Sequence, residues 1–551
     1  MTSLTHLIGA VSAAVLAACA STARAQHAGH QHDLGAVSFE TACAPAAQKL
    51  FDRATAWLHS FEYEEAEKSF LQAADADPAC AMAHWGVAMS NYHPLWAPPT
   101  PAELEKGVAA VAKAEAIGGK TERERAYIAA TAAFFKDAAG RPHLRRMLDY
   151  LAAMKALHER YPRDREAGIF YALALIAAGT TDSDESYARE HEAARILNAA
   201  LAEEPNHPGV AHYLIHSFDY PALAHLALPA ARSYAGIAPA SAHAQHMPSH
   251  IFTRLGLWEE AIASDRKAEA AAKAYAARHG MPGAWDEQLH AMDYLVYAHL
   301  QLAQDDRAKA VQDELVRLRR VDPPNFKVAY AMSAIPARIA LERRQWAEAA
   351  ALTLPADNRG AVPWERFRWA EAHIHFARAI GLARLGRPGP AAEEVAALET
   401  IEKSLPARPG EYDWGAQVGI HRQVAAAWVA LAEGRRDSAL TLMKAAADID
   451  DATEKHPVTP GAILPAREQL AELLLELGRP ADALREYEAS LQRAPGRLAS
   501  LTGAVRAAEG AGQARKAREY RGKLPPCGAG CQRPELLALA AAQRPSVELR
   551  D

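Results

Sequence analysis

The sequence predicts an all-α chain wound as a right-handed α-α superhelix of roughly ten helical hairpins. Three observations carry that expectation. The chain has 551 residues, too many for one ordinary hydrophobic core, and Ala, Leu, Glu and Arg dominate without any strand-like alternation of Val, Ile or Thr. An Ala also recurs at a fixed period: Ala193, Ala227 and Ala261 are separated by 34 and 34 residues, as are Ala483 and Ala517, and Pro205 and Pro239. Finally, an aromatic residue followed by acidic residues and a small one occurs in Tyr63-Glu64-Glu65-Ala66, Trp258-Glu259-Glu260-Ala261 and Trp346-Ala347-Glu348-Ala349.

These motifs resemble the start of the second helix of a tetratricopeptide repeat (TPR), where a small residue lets the two helices of a hairpin cross closely. The resemblance implies an aromatic, a small residue and a Pro further along. Around Ala66 they are Phe70, Ala73 and Pro78; around Ala483 they are Tyr487, Ser490 and Pro495. Each hairpin alone leaves an apolar face uncovered, and stacking its neighbours closes the core. The resemblance is strongest near residues 47–95, 174–275, 330–355 and 464–522. The chain also resembles exported bacterial TPR proteins, a likeness that implies no activity.

Read in order, residues 1–25 form an expected signal peptide: Leu7 to Ala20 is small and apolar, and Ala23-Arg24-Ala25 is a cleavage site giving a mature start at Gln26. Leu16-Ala17-Ala18-Cys19 alternatively resembles a lipobox, which would place a lipid anchor on Cys19. Residues 26–40 read as a flexible arm in which His27, His30 and His32, with a terminal amine, could hold copper or nickel. The repeat array is expected over 41–525, punctuated by the Trp96–Pro101 loop before a helix from Ala102 and by Asp322-Pro323-Pro324-Asn325. Residues 526–551 form a C-terminal tail.

After the leader no apolar run approaches the roughly 20 residues needed to span a bilayer. A net charge of -6 gives no field for a polyanion, so nucleic acid is not an expected partner. Four cysteines remain after cleavage, and an exported chain keeps spaced pairs oxidised. Cys43 and Cys80 bracket one hairpin whose ends lie close in space, so a bridge is expected there; Cys527 and Cys531 could close a small loop in the tail.

The histidines carry the candidate chemistry. His212-Tyr-Leu-Ile-His216 and His246-Met-Pro-Ser-His250 are two HxxxH pairs, and an i, i+4 pair on a helix presents both imidazoles on one face. The pairs are themselves 34 residues apart (246 − 212 and 250 − 216). By the family's repeat numbering they fall at positions that line the concave groove, with Asp182 one repeat earlier and His290, Asp293 and Tyr297 one repeat later. Stacking then predicts a ladder of His and Asp on one patch, the ligand types zinc or copper accepts. Glu190 and Asp219 are candidate supporting or ligand residues. Pro248 places His246 at or just before a helix start. His84 and His93 read as packing or capping residues, and His373 and His375, on adjacent turns of one helix, as split between core and groove.

Two functions follow. One is an exported scaffold whose concave surface binds a protein, peptide or small ligand. The other is a metal-binding protein or metalloenzyme on His212, His216, His246 and His250, with Asp182, Asp293 or Tyr297 assisting proton transfer.

Overall fold

The computed structural model describes residues 33–181, 184, 186–354, 362–526 and 533–541. Cys19, the arm histidines, Asp182, Cys527 and Cys531 lie outside the described residues. Twenty-six α-helices run from Pro45 to Ala541 among them. The chain starts its helices with ordinary local chemistry. Thr100 and Thr121 each close a capping box with the Glu three residues on, and Pro45, Pro101, Pro208, Pro388 and Pro480 occupy first-turn positions where a missing N–H costs nothing.

Consecutive helices pack on one another, and alternate helices form a continuous inner layer. In that layer Asp286–Gln301 packs on Phe326–Glu342, then Arg368–Arg384, Trp414–Ala432, Ala466–Glu476 and Leu498–Gly510 follow in turn. The fold is therefore an all-α array of helix pairs. No helix among the described residues is long and apolar enough to cross a membrane. One departure from pure helix is a pair of two-residue parallel strands, Ala284–Trp285 and Val321–Asp322.

The small residue of the repeat motif does what close crossing requires. Ala66, Ala261, Ala349 and Ala483 are fully buried, and so are Phe70 and Tyr487 beyond two of them. Cys43 and Cys80 form a disulfide joining the chain just before the Pro45–His59 helix to the N-cap of Ala81–Met89.

Two large hydrophobic cores result, one from Phe39 to Ala298 and one from Leu289 to Ala517, meeting at the Asp286–Gln301 helix, beside a small third cluster of Ala242, Ala272 and Trp285. Polar ties hold the array in a closed curl. Arg497, fully buried, reaches Glu468, Glu342 and the Tyr297 hydroxyl. Arg533 binds the Asp305 carboxylate, and Trp258 donates to the Gly496 carbonyl.

Candidate metal centre

The candidate site lies where the first core meets the second. The Pro208–Ser217 helix carries His212 and His216 one turn apart. Ser241 caps the five-residue helix Ala242–His246, which presents His243 and His246. Met247 then leads into Pro248–Leu255, where Pro248 sits in the first turn and His250 follows. The Asp286–Gln301 helix supplies His290 and Tyr294.

Six imidazoles thereby gather into two trios. In the first, His212 Nε2 lies 3.0 Å from His216 Nε2 and 3.2 Å from His243 Nε2. In the second, His246 Nε2 is 3.0 Å from His250 Nε2, and the His246 and His290 ring centres are 4.1 Å apart. Each trio offers three ligand atoms within 4.8 Å of one another. The trios adjoin: the His216–His250 and the His243–His246 ring centres are both 6.3 Å apart. Two nitrogens at about 2.0–2.1 Å from one tetrahedral ion stand about 3.4 Å apart, close to the separations found.

Tautomers sharpen the geometry. His212 Nδ1 donates to the His59 carbonyl at 2.7 Å, so its Nε2 carries a lone pair aimed at the other two rings. His250 Nδ1 faces Asp219 at 3.0 Å, and Arg254 and Lys455 also bind that carboxylate. Burial would raise Asp219, but the charges of Lys455 and Arg254 outweigh it and hold the carboxyl well below its usual range. His250 Nδ1 is therefore the donor and its Nε2 a lone pair, which the Tyr294 hydroxyl approaches at 3.3 Å. His246 Nδ1 lies 2.6 Å from Asp265, whose carboxyl burial pushes far up. A protonated Asp265 donates to His246 Nδ1, which leaves His246 Nε2–H to donate to the His250 Nε2 lone pair at 3.0 Å. Were a cation held between these nitrogens, His246 and His250 would offer it their Nε2 atoms, and Asp219 and Asp265 would orient the two rings through Nδ1.

Burial keeps the imidazoles uncharged. It lowers His216, His246 and His250 from their ordinary value to about 3; neighbouring histidines add to it at His216 and His250, and Lys327 and Lys455 at His246. A third group, His59, Glu166 and His207, has different logic. His59 Nε2 and His207 Nε2 donate to the two oxygens of Glu166 at 2.9 and 3.1 Å, and His59 Nδ1 faces the Tyr213 hydroxyl at 2.9 Å. Burial works against the charged Glu166, but the two imidazoles outweigh it and hold its carboxyl low. Hydrogen bonds engage both Glu166 oxygens and both His59 nitrogens, while His207 Nδ1 is buried without a partner among the described residues. The network's effect is to fix His59, whose carbonyl orients His212.

The groove positions implied for these histidines differ from where they lie. His212 is 0 % exposed beneath Phe61, and His246 is 1 % exposed against His290 and Tyr294. Phe61, in a left-handed conformation with φ 54°, sets its ring edge-on to His212 at 4.4 Å, and Trp96 lies 5.7 Å from His243. His290 joins the second trio. Asp293 and Tyr297, expected beside it in the groove, are instead buried at Arg338, with Asp293 3.8 Å from the guanidinium and Tyr297 beneath it. Burial raises the Asp293 carboxyl to about 6. Glu190 accepts from Tyr220. His93 stacks on Tyr63, His84 is buried, His373 meets Ser333 and His375 meets Glu394.

His243, Asp265 and the Glu166 network are not marked by the 34-residue period. His243 stands 31 residues after His212 (243 − 212), three short of the repeat, and its signal was only a third His beside a recognised pair.

A cavity of about 1050 Å³ opens beside the first trio, with His243, Phe61 and Trp96 in its wall.

Site and fold together define an all-α helical-repeat protein with a buried six-histidine cluster. No protein-family model matches the chain, and no curated protein does either. Among solved structures it is similar to yeast Tom70, with 14 % identity over 85 % of this chain and 96 % of that one and a TM-score of 0.33. A human IFIT1 dimer with m7Gppp-AAAA matches at 13 % identity over 89 % and 95 % of the two chains, TM-score 0.36. The TPR domain of P58(IPK) matches at 12 % over 86 % and 99 %, TM-score 0.20. At such scores these likenesses carry nothing about function, and the fold class stands on the chain's own succession of packed helices.

Proposed function

We propose that this chain is a metalloprotein holding two first-row transition ions, one on His212, His216 and His243 and one on His246, His250 and His290. The observation that carries the reading is the pair of adjoining, buried imidazole trios, with two of their Nε2 lone pairs fixed inward by Nδ1 donors. An all-imidazole donor set favours zinc or copper over magnesium, calcium or manganese, which prefer oxygen. Three protein ligands per ion leave a coordination position for water or substrate, the arrangement of a catalytic rather than a purely structural site. Such ions lower the pKa of bound water or polarise a carbonyl. The protein's part is to exclude bulk water, with Phe61 and Trp96, and to orient the imidazoles through His59, Asp219 and Asp265.

The scaffold reading, a concave surface taking a protein, peptide or small ligand, draws on the 1050 Å³ cavity and coexists with a metal centre. An extracytoplasmic location, by plain secretion or through a lipid on Cys19, is part of the proposal; the leader-like N-terminus and the Cys43–Cys80 disulfide support it.

The test is elemental analysis of protein purified without a histidine tag. Two equivalents of zinc or copper per chain are expected, falling to residual levels in a His216→Ala, His250→Ala variant. Folded wild-type protein that takes up neither metal overturns the reading.

A further inference from the structure

The cavity beside the first trio has a wall of particular chemistry. His243 is the one proposed ligand that reaches it, and Phe61 and Trp96 flank that imidazole. Around this end the wall is aromatic: Tyr63 stacks on His93 at 4.4 Å, and Tyr275 stacks on Trp285 at 4.1 Å. It is also acidic. Glu62, Glu64, Glu65, Asp286 and Glu287 line it, and Lys327, the basic residue among them, is engaged by Asp286 and Glu287. The wall reaches the trio through Glu62, which accepts from the backbone N–H of His243 and from Ser241. Burial pushes the Glu62 carboxyl up to about 8, so the charge of the wall is carried by Glu64, Glu65, Asp286 and Glu287. The chamber's remaining bases come from elsewhere in the chain: Lys106, paired with Glu67, and Arg366, Arg368 and Arg408.

Aromatic faces beside several carboxylates attract cations on two counts, through the ring quadrupoles and through charge, and a low-dielectric chamber strengthens both. A neutral or anionic ligand would gain only the first or lose the second. We propose that this chamber is a binding site for an organic cation, an alkylammonium or guanidinium group, and that it is the approach to the first metal ion. The cation comes from a small amine or from a basic side chain of a peptide. The role as an approach rests on the metal reading above; the binding of a cation does not.

The experiment uses the full chain, metal-free and cobalt-loaded. Benzyltrimethylammonium, its neutral counterpart benzyl alcohol and a short lysine-rich peptide are titrated by calorimetry. The expected result is saturable binding of benzyltrimethylammonium with benzyl alcohol at least tenfold weaker, and a loss of at least tenfold in both Trp96→Ala and Glu64→Gln. A peptide that binds more tightly than the small cation identifies a peptide source, and the reverse order a small amine. In the cobalt-loaded protein the visible ligand-field bands shift when the cation binds. Equal binding of the neutral compound, or cation binding that survives both substitutions, overturns the cation site. Unchanged cobalt bands on saturation overturn its role as an approach. Failure of the protein to take up cobalt speaks against the metal reading alone, since the metal-free titration is read independently. Glu64→Gln sits at the exposed rim, so it keeps the test decisive should Trp96→Ala fail to fold.

Discussion

Asp219 holds His250, Arg254 and Lys455 at once, and each contact constrains what the others do. Removing its charge frees His250 to flip its tautomer and leaves Lys455, already lowered to about 8 by burial, without its closest carboxylate. Asp219→Asn is therefore expected to weaken metal affinity by about 10–100-fold, the usual cost of losing a ligand's supporting partner. Competition against a chelator of known affinity reads the loss, and an affinity unchanged within twofold would show that Asp219 does not orient a ligand. At this scale the sequence is informative about His212, His216, His246 and His250, because helical spacing and the repeat both act on them. It is silent about Asp265 and His243. Whether a carboxylate on a second helix turns toward a ring on a first helix depends on the crossing of the pair, which no spacing along the chain encodes.

Helix pairs in this array touch through small residues placed against rings. A Cβ added at Gly503 would come 2.1 Å from the Tyr487 ring, and one at Gly86 2.2 Å from Phe70. Two effects oppose each other on substitution. Ala stabilises a helix interior by about 1 kcal/mol over Gly, whereas overpacking a tight contact costs about 1–3 kcal/mol. A 2.1 Å contact to a ring closed in on every side puts overpacking ahead. Gly503→Ala is expected to lower stability by about 1–2 kcal/mol in urea unfolding, and a net gain would show that the Tyr487 ring can move aside. The contrasting case is Gly236, where nothing lies within 4 Å of the added carbon. There the propensity gain stands unopposed, and Gly236→Ala is expected to be neutral or mildly stabilising by the same measurement. Elements were the most legible level of the sequence: the Ala period, the aromatic four residues on and the Pro that follows all reflect one hairpin's internal packing. The short parallel strand pair at Ala284–Trp285 was not legible, since two residues carry no periodicity.

Across the whole molecule, buried neutral histidines make stability depend on pH. His216, His246 and His250 are lowered to about 3 in the folded chain against an ordinary 6.5. Between those values the unfolded chain binds protons that the folded chain refuses. Their contribution is therefore fully present above pH 6.5 and is lost as pH falls toward 3, at up to about 1.4 kcal/mol per group per pH unit. The thermal midpoint of metal-free protein should fall steeply from pH 6.5 to pH 4, and the His216→Ala, His250→Ala variant should show a shallower slope. Equal slopes would place the acid sensitivity elsewhere. Closure of the curl is a second property of the whole. Arg497 compensates two buried carboxylates, Glu342 and Glu468, so Arg497→Met should cost about 3–5 kcal/mol in denaturant unfolding. An open solenoid would tolerate it. The covering of the histidines belongs to this scale too: His456 bonds the Trp96 carbonyl across 360 residues, a contact that a nearest-neighbour reading of repeats does not contain.

That closure, with the six clustered histidines drawn from several successive hairpins, bears on how such a chain can change in length. Open repeat arrays lengthen and shorten by whole units, because each unit touches only its neighbours. Here a unit inserted between His216 and His243 would pull the first trio apart, and one inserted between Tyr297 and Arg497 would misplace the guanidinium that closes the curl. Adding or removing a repeat is therefore expected to be tolerated outside residues 208–497 and to disrupt the cluster or the Arg497 tie within them.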